Sequence, residues 1–435
     1  MASKLLKKVR ARRNLESAWQ VIQENGRTSK SRTVRAEIEK FREDVTGNIE
    51  VIYRQLQQGM FVFEPAKGLA LPKNTPDGTK RSAVRPIVLA NVEARIVQRA
   101  ILNVLTELPK LEPYIVNPNS FGGMRKSARR QLSAVPAAVS AVLDAIGEGA
   151  RFVMCADISG FFTRISKSEV SALIEGATGD PEFMEFFQSA IRVELSNMAE
   201  LREHANKFPI EDIGVAQGNS LSPLLGNILL HHFDGEMNAG DCHAKRYIDD
   251  FIVLGPTPAA TAARMRHARR LLAAHGMELS DSKTSSQSLA VDEEAFEFLG
   301  IEFSNGLIRP SSKAKRRLLA NITEEFEKSQ KAFIACRRDG RMDRSLSLIA
   351  TLKRIDAMVR GWGKHYRFCN DEVLFARMDD GIDHLIREYV GGYRDARERA
   401  PAVSNRALLG VEQLSQMERQ SFKWPKALRS MKSAA

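Results

Sequence analysis

Apolar residues fall into two periods along the chain, and the switches between them predict the order of elements. Over residues 1–60 the spacing is helical. Leu15, Ala18, Trp19 and Ile22 form one stripe, and Ile38, Phe41, Val45, Ile49 and Ile52 resume it after a polar break from Asn25 to Ser31. Gly59 closes this region. Phe61-Val62-Phe63 and Leu69 to Leu71 then read as extended chain, followed by a turn-rich run, Pro72-Lys73-Asn74-Thr75-Pro76-Asp77-Gly78. Arg85 to Val88 is extended again, and Asn91 to Leu105 returns to helical spacing.

The middle of the chain alternates more sharply. Phe152 to Ile158 reads as a buried strand that ends in a carboxylate, Asp157. Ser222-Pro223 predicts a helix start, with Ser as the cap and Pro at the first helical position, ahead of the stripe Leu224, Leu225, Ile228, Leu229. Arg246 to Leu254 reads as two short strands around an acidic tip. Thr261 to His275 is helical. Phe296 to Phe303 is a strand, and Asn305-Gly306 before Leu307-Ile308 is a hairpin signal. Beyond Pro310 a helical stretch is crowded with Lys313, Lys315, Arg316, Arg317, Lys328, Lys331, Arg337, Arg338 and Arg341. From about Ala400 the chain is polar and irregular.

Composition narrows the class. With 43% hydrophobic and 27% charged residues, the 435-residue chain is neither disordered nor fibrous, and it is long enough for two or three domains. Its 65 Lys and Arg against 53 Asp and Glu leave a net charge of +12, which points to a polyanionic partner, nucleic acid first. Cysteines stand at 155, 242, 336 and 369, with no CxxC spacing, so a zinc ribbon is not indicated and reduced thiols in a cytoplasmic protein are expected. No window approaches the roughly 18 apolar residues of a membrane span. The basic N-terminus has no apolar run behind it, so no secretion signal or membrane association is expected.

Three features carry candidate chemistry: Asp157 at its strand end, Gln217-Gly218-Asn219-Ser220 ahead of a helix, and Tyr247-Ile248-Asp249-Asp250 at a strand–turn–strand. Carboxylates on neighbouring strands can hold two Mg²⁺ ions about 4 Å apart, the arrangement that nucleotidyl transfer uses. Each feature taken alone is usually a turn, a cap or a solvated pair; their order and spacing give them weight.

As an ordered set, these residues resemble a prokaryotic reverse transcriptase of the group II intron, retron and antiphage-defence lineages. The likeness runs over residues 15–370. Leu71-Pro72-Lys73 through Arg85-Pro86-Ile87 is similar to the fingers motifs of that family, and Ser120-Phe121-Gly122 to its SFG element. Asp157 to Phe162 is similar to the first catalytic-Asp motif, Gln217 to Pro223 to the QGxxxSP motif, and Tyr247 to Asp250 to the YxDD box. Leu279 to Thr284, with Lys283, and Phe298-Leu299-Gly300 resemble the last two palm motifs. Arg360-Gly361-Trp362 with Tyr366 resembles a thumb element.

The resemblance implies an α+β, right-hand polymerase fold with fingers, an antiparallel-sheet palm and a helical thumb. It divides the chain into a helical extension (1–60), fingers with part of the palm (61–150), palm (151–305), basic helical thumb (306–395) and tail (396–435). It implies an RNA-directed DNA polymerase, a nucleotidyltransferase using two Mg²⁺ ions or Mn²⁺ in their place. Asp157, Asp249 and Asp250 would hold the metal. Arg85 would hold the incoming triphosphate, assisted by Lys73 or Lys80, between which the spacing does not decide. Gln217 would line the nucleotide pocket. Lys283 would donate a proton to pyrophosphate or, equally, be a surface lysine. Phe162 would exclude a ribose 2′-hydroxyl; were the strand pleat to continue, Phe161 and Phe162 would face opposite ways, one packing and one gating.

Partners implied are an RNA template, a structured non-coding RNA, together with a DNA primer or product and dNTPs. The chain departs from intron-encoded relatives: it has no Gly-x-Asp-Gly element, Asn219-Ser220-Leu221 fills the variable part of the QG motif, and no HNH-type metal site can be built from its cysteines. A stand-alone enzyme in antiphage defence is therefore the expectation. Untemplated or protein-primed DNA synthesis on the same fold, and a maturase or scaffold that binds RNA without polymerising, are the rival readings.

Overall fold

The computed structural model describes residues 3–29, 31–72, 84–123, 132–339, 342–399, 405–412, 414, 417–420 and 422. Lys73, Lys80 and Arg341 lie outside them. The chain divides into two compact units, Met1–Leu299 and Gly300–Ala435.

The first unit is built around the helix Val92–Leu105. Asn91 caps it by accepting from the Ala94 N–H, and apolar residues on nearly every side of it are buried. Such a helix must be covered all round. The amphipathic helix Arg12–Arg27 packs against it through Leu15, Ala18, Trp19 and Ile22, the stripe read from the sequence. Two strands, β1 (Lys67–Pro72) and β2 (Val84–Leu89), form an antiparallel pair in which Leu71 lies opposite Arg85. The expected strand at Phe61–Phe63 is irregular chain instead. Its two rings pack edge to face at 5.1 Å and both meet Phe186, so aromatic packing rather than a ladder fixes it.

The main sheet comprises β3 (Phe152–Ser159), β4 (His243–Tyr247), β5 (Asp250–Gly255), β6 (Glu278–Leu279) and β7 (Leu289–Ala290). Its strand order is β4-β5-β3-β6, with β7 also on β3, and every pairing is antiparallel. Phe251, Ile252, Val253 and Leu254 are all buried, so β5 is covered on both faces and lacks the alternation of a half-solvated strand. The helix Pro258–Ala274 packs on β3 and β5, capped by the Thr257 hydroxyl. Ser222 is the first residue of the helix Ser222–Leu229 rather than its cap, because its hydroxyl donates to the Ala216 carbonyl at 2.7 Å. The unit ends on β8 (Phe296–Phe298). The expected strand from 296 to 303 breaks at Leu299 and Gly300, which both take positive φ, 54° and 75°.

The second unit opens with a hairpin of β9 (Ile301–Ser304) and β10 (Leu307–Pro310). Its turn residues, Asn305 and Gly306, have φ of 48° and 75°, the left-handed pair that an Asn-Gly turn favours. Three long helices follow, Ser312–Asp339, Leu348–Tyr366 and Glu372–Arg399, and then a short one, Asn405–Leu409, within the stretch expected to be irregular. Their shared core stacks Phe326 on Tyr389 at 4.2 Å, and the Tyr389 and Ser329 hydroxyls meet at 2.6 Å. Trp362 packs on Tyr366 at 4.7 Å as part of that core. On the first helix, Lys313, Arg316, Arg317, Lys328 and Lys331 are exposed. The four cysteines are free thiols. Among the described residues, no helix is long and apolar enough to cross a membrane.

Candidate active site

Register brings the first two carboxylates together. Asp157 on β3 lies directly opposite Asp250 on β5. Tyr247 pairs with Asp250, leaving Ile248 and Asp249 as a two-residue turn at the tip of the β4–β5 hairpin. Ile158 N–H donates to the Asp249 carbonyl at 2.9 Å, which ties that tip to β3. Carboxylate oxygens of Asp157, Asp249 and Asp250 consequently lie within 4.8 Å of one another. Asp157 is buried and the other two are half-buried.

Burial, a hydrogen bond to Asp157 and the nearby Asp249 charge push the Asp250 carboxyl up to about 7. Burial and the Asp157 charge raise Asp249 as well, opposed by the positive charges of Lys283 and Arg85. Three acidic oxygen donors at such spacing repel one another and are matched by a hard divalent cation, so the donor set fits one.

Lys283 reaches the cluster because of a short turn. The Ser280 N–H donates to the Asp157 carbonyl at 2.8 Å, just after β6, and the turn then places the Lys283 ammonium 2.7 Å from Asp157 Oδ1. The lysine is 59% exposed, so it meets the carboxylate from the solvent side.

Arg85 and Gln217 share a second feature. Val88 N–H donates to the Gln217 carbonyl at 2.9 Å, pinning the Gln-Gly segment along β2. A Cβ at Gly218 would stand 2.7 Å from the Val88 carbonyl oxygen, and its φ is 122°, so glycine is required there. Arg85, Gln217, Gly160, Arg164, Lys207 and Phe208 line a cavity of about 560 Å³. Phe162 is not in that lining. The pleat stops at Gly160, whose φ of 61° starts a short 3₁₀ turn over Phe161–Arg164. Phe161 is buried and Phe162 half-buried, with ring centres 5.2 Å apart, so the turn, and not strand alternation, separates their environments. Lys73 and Lys80 lie outside the described residues.

A polar frame beneath the carboxylate turn was not apparent from sequence. Arg246 is 1% exposed and Asp234 is 3% exposed. Arg246 Nε and Nη2 donate to the two Asp234 oxygens at 2.7 and 2.6 Å, and Asn117 donates to Asp234 at 2.8 Å. Removing one partner of such a buried pair costs roughly 3–5 kcal/mol. The available signal was the alternation of β4, in which Ala244 and Arg246 point inward: an arginine at an inward position requires a buried counter-charge.

The family model described as reverse transcriptase (RNA-dependent DNA polymerase) matches residues 71–303. The chain is 26% identical over 236 residues to an uncharacterized 91 kDa protein in the cob intron of Schizosaccharomyces pombe, covering 54% of this chain and 26% of that protein. It is 23% identical to protein YkfC of Escherichia coli over 43% of this chain and 44% of YkfC. It thus spans less than half the length of either relative. Among solved structures, a partial Cas6-RT-Cas1–Cas2 complex aligns with TM-score 0.33 and 18% identity, over 63% of this chain and 43% of that one. Apo telomerase from Candida tropicalis aligns with TM-score 0.38 and 14% identity, over 57% and 55%.

Proposed function

The chain belongs to the reverse transcriptase (RNA-dependent DNA polymerase) family, and we propose that it extends a 3′-hydroxyl with deoxynucleotides on an RNA template, using two Mg²⁺ ions held by Asp157, Asp249 and Asp250. The observation that carries this reading is the convergence of these carboxylates, from β3 and the β4–β5 turn, within 4.8 Å. When bound, such ions supply activation of the attacking hydroxyl and neutralisation of the leaving pyrophosphate.

The chain's own groups orient and charge the site. Arg85 offers a planar fork to phosphate oxygens, and its charge opposes the rise of the Asp249 carboxyl. Gln217, fixed through its carbonyl to β2, presents an amide to the nucleotide. Phe162, two residues after the cavity-lining Gly160, supplies bulk without a hydrogen-bond partner for a 2′-hydroxyl. Lys283 carries a proton at the edge of the cluster, where a leaving pyrophosphate can take it.

In domain terms, 1–60 is an N-terminal extension, 61–150 fingers, 151–305 palm, 306–395 thumb and 396–435 tail. The exposed cations of Ser312–Asp339 suit contacts to duplex phosphates. The biological reading is antiphage defence by an enzyme that copies a structured non-coding RNA, supported by the missing Gly-x-Asp-Gly element and the Asn219-Ser220-Leu221 filling of the QG motif.

The test is extension of a DNA primer on an RNA template by the purified chain, alongside Asp249→Asn, with sequencing of product and co-purified RNA. Template-complementary DNA that disappears in Asp249→Asn is expected. A product of untemplated sequence, or undiminished synthesis by Asp249→Asn, would overturn the proposal.

A further inference from the structure

We infer that the buried Arg246–Asp234 pair is a positioning element for the carboxylate turn, setting how tightly Asp249 and Asp250 hold a divalent cation. The inference rests on the reading of those carboxylates as the cation site.

The argument starts from the third arm of the arginine. Two of its nitrogens are occupied by Asp234, and the remaining one, Nη1, donates to the Ile248 carbonyl at 2.9 Å. That carbonyl belongs to the peptide bond leading into Asp249. Ile248 itself has a φ of 60°, a left-handed conformation that a β-branched residue takes only when its surroundings impose it.

Those surroundings converge on this residue. The Arg246 N–H donates to Asn119 and its carbonyl accepts from Phe121, so its backbone is clamped on both sides. A Cβ at Gly122 would stand 2.4 Å from Ile248 Cγ1, so the neighbouring loop closes directly on the turn. Asn117 completes the set by holding Asp234. A planar guanidinium can serve a carboxylate with two nitrogens and a carbonyl with a third at once. A lysine carries its donors on one nitrogen and cannot span this three-point geometry. Buried ion pairs are often replaceable by apolar residues without loss of stability, so the stability of the fold and the positioning of the turn can be separated experimentally.

The experiment measures Mn²⁺ binding to the full chain by the electron paramagnetic resonance signal of free Mn²⁺, with primer extension against Mn²⁺ concentration as a second readout. The variants are Arg246→Lys, the apolar pair Asp234→Leu with Arg246→Met, and Asp249→Asn. Circular dichroism and duplex affinity report folding. We expect Arg246→Lys and the apolar pair to bind duplex like the parent chain, while their Kd for Mn²⁺ rises about tenfold or more and their Mn²⁺ requirement rises with it. A folded Arg246→Lys or apolar-pair protein with unchanged Mn²⁺ affinity would overturn the inference; should one variant not fold, the other decides. If Asp249→Asn weakens Mn²⁺ binding while the folded Arg246 variants do not, the positioning role alone fails. If Asp249→Asn binds Mn²⁺ like the parent chain, the cation-site reading fails and takes the inference with it.

Discussion

Lys283 Nζ donates to Asp157 Oδ1 at 2.7 Å, placing an exposed cation on the most buried carboxylate of the cluster. Its charge also opposes the rise of the Asp249 and Asp250 carboxyls. Two roles are separable in Lys283→Ala. Removing a positive charge from a site for dications should tighten Mn²⁺ binding. Removing a proton donor should slow catalysis by 10²-fold or more, within the ~10²–10⁴ range of general acids. An unchanged kcat would leave Lys283 as a counter-charge only.

The raised Asp250 carboxyl predicts a pH dependence. Its folded value of about 7 lies above its ordinary value of 3.8. Between those values the folded chain keeps a proton that the unfolded chain has released. This group's stabilising contribution is therefore complete below 3.8 and is lost as pH rises through about 7. A divalent cation needs the carboxylate, so its binding must displace the proton. Mn²⁺ affinity should climb with pH up to about 7 and then level. Calorimetry at pH ~6 in buffers of different ionisation enthalpy should register proton release, and Asp250→Asn should remove most of it.

Much of the site was legible because order survives in a linear sequence. Asp157, Asp249 and Asp250 were identified by the motifs they sit in, and the strand–turn–strand pattern around residues 246–254 foretold a hairpin; register then set Asp157 against Asp250. What was illegible depended on packing that periodicity does not encode. Arg246 and Asp234 belong to a strand and a helix whose packing makes them partners. The fate of Phe161 and Phe162 turned on one left-handed glycine, Gly160, which ends the pleat. Ser222 resembles a cap but spends its hydroxyl on Ala216.

Phe162 is half-buried beside the fully buried Phe161. Phe162→Ala should therefore open space near Gly160 without emptying the main core. Ribonucleotide incorporation relative to deoxynucleotide should rise roughly 10- to 200-fold, the discrimination a pocket achieves through bulk alone. Single-nucleotide extension with each substrate measures it, and an unchanged ratio would remove Phe162 from sugar selection.

The exposed residues Lys313, Arg316 and Arg317 share one end of the helix Ser312–Asp339. If they bind phosphates, replacing them with glutamine should weaken duplex binding regardless of sequence. The slope of log K against log salt should become shallower by about 1 for each phosphate-binding cation removed. Lys328 is a useful contrast: it already pairs with Glu324 and Glu325 at 2.9 Å, so Lys328→Gln should change the slope less.

Gly122 tests whether the carboxylate turn tolerates displacement. A Cβ there would stand 2.4 Å from Ile248 Cγ1 and 2.7 Å from the Ile248 backbone nitrogen. Neither side can retreat freely: Ile248 is packed against the core, and the Gly122 carbonyl accepts from Asn227 at 3.2 Å. Gly122→Ala should cost roughly 1–3 kcal/mol of stability, as overpacking does. It should also lower kcat by more than that loss explains at temperatures where the chain remains folded, because the atoms that must move lead directly into Asp249. Gly147→Ala, where an added Cβ meets nothing within 4 Å at the end of the helix Ala134–Gly147, is the control and should leave kcat unchanged while raising stability by at most about 1 kcal/mol. Thermal melts and kcat measured on the same preparations distinguish the two effects. A folded Gly122→Ala chain with parental kcat would show that the turn can shift without consequence for the carboxylates.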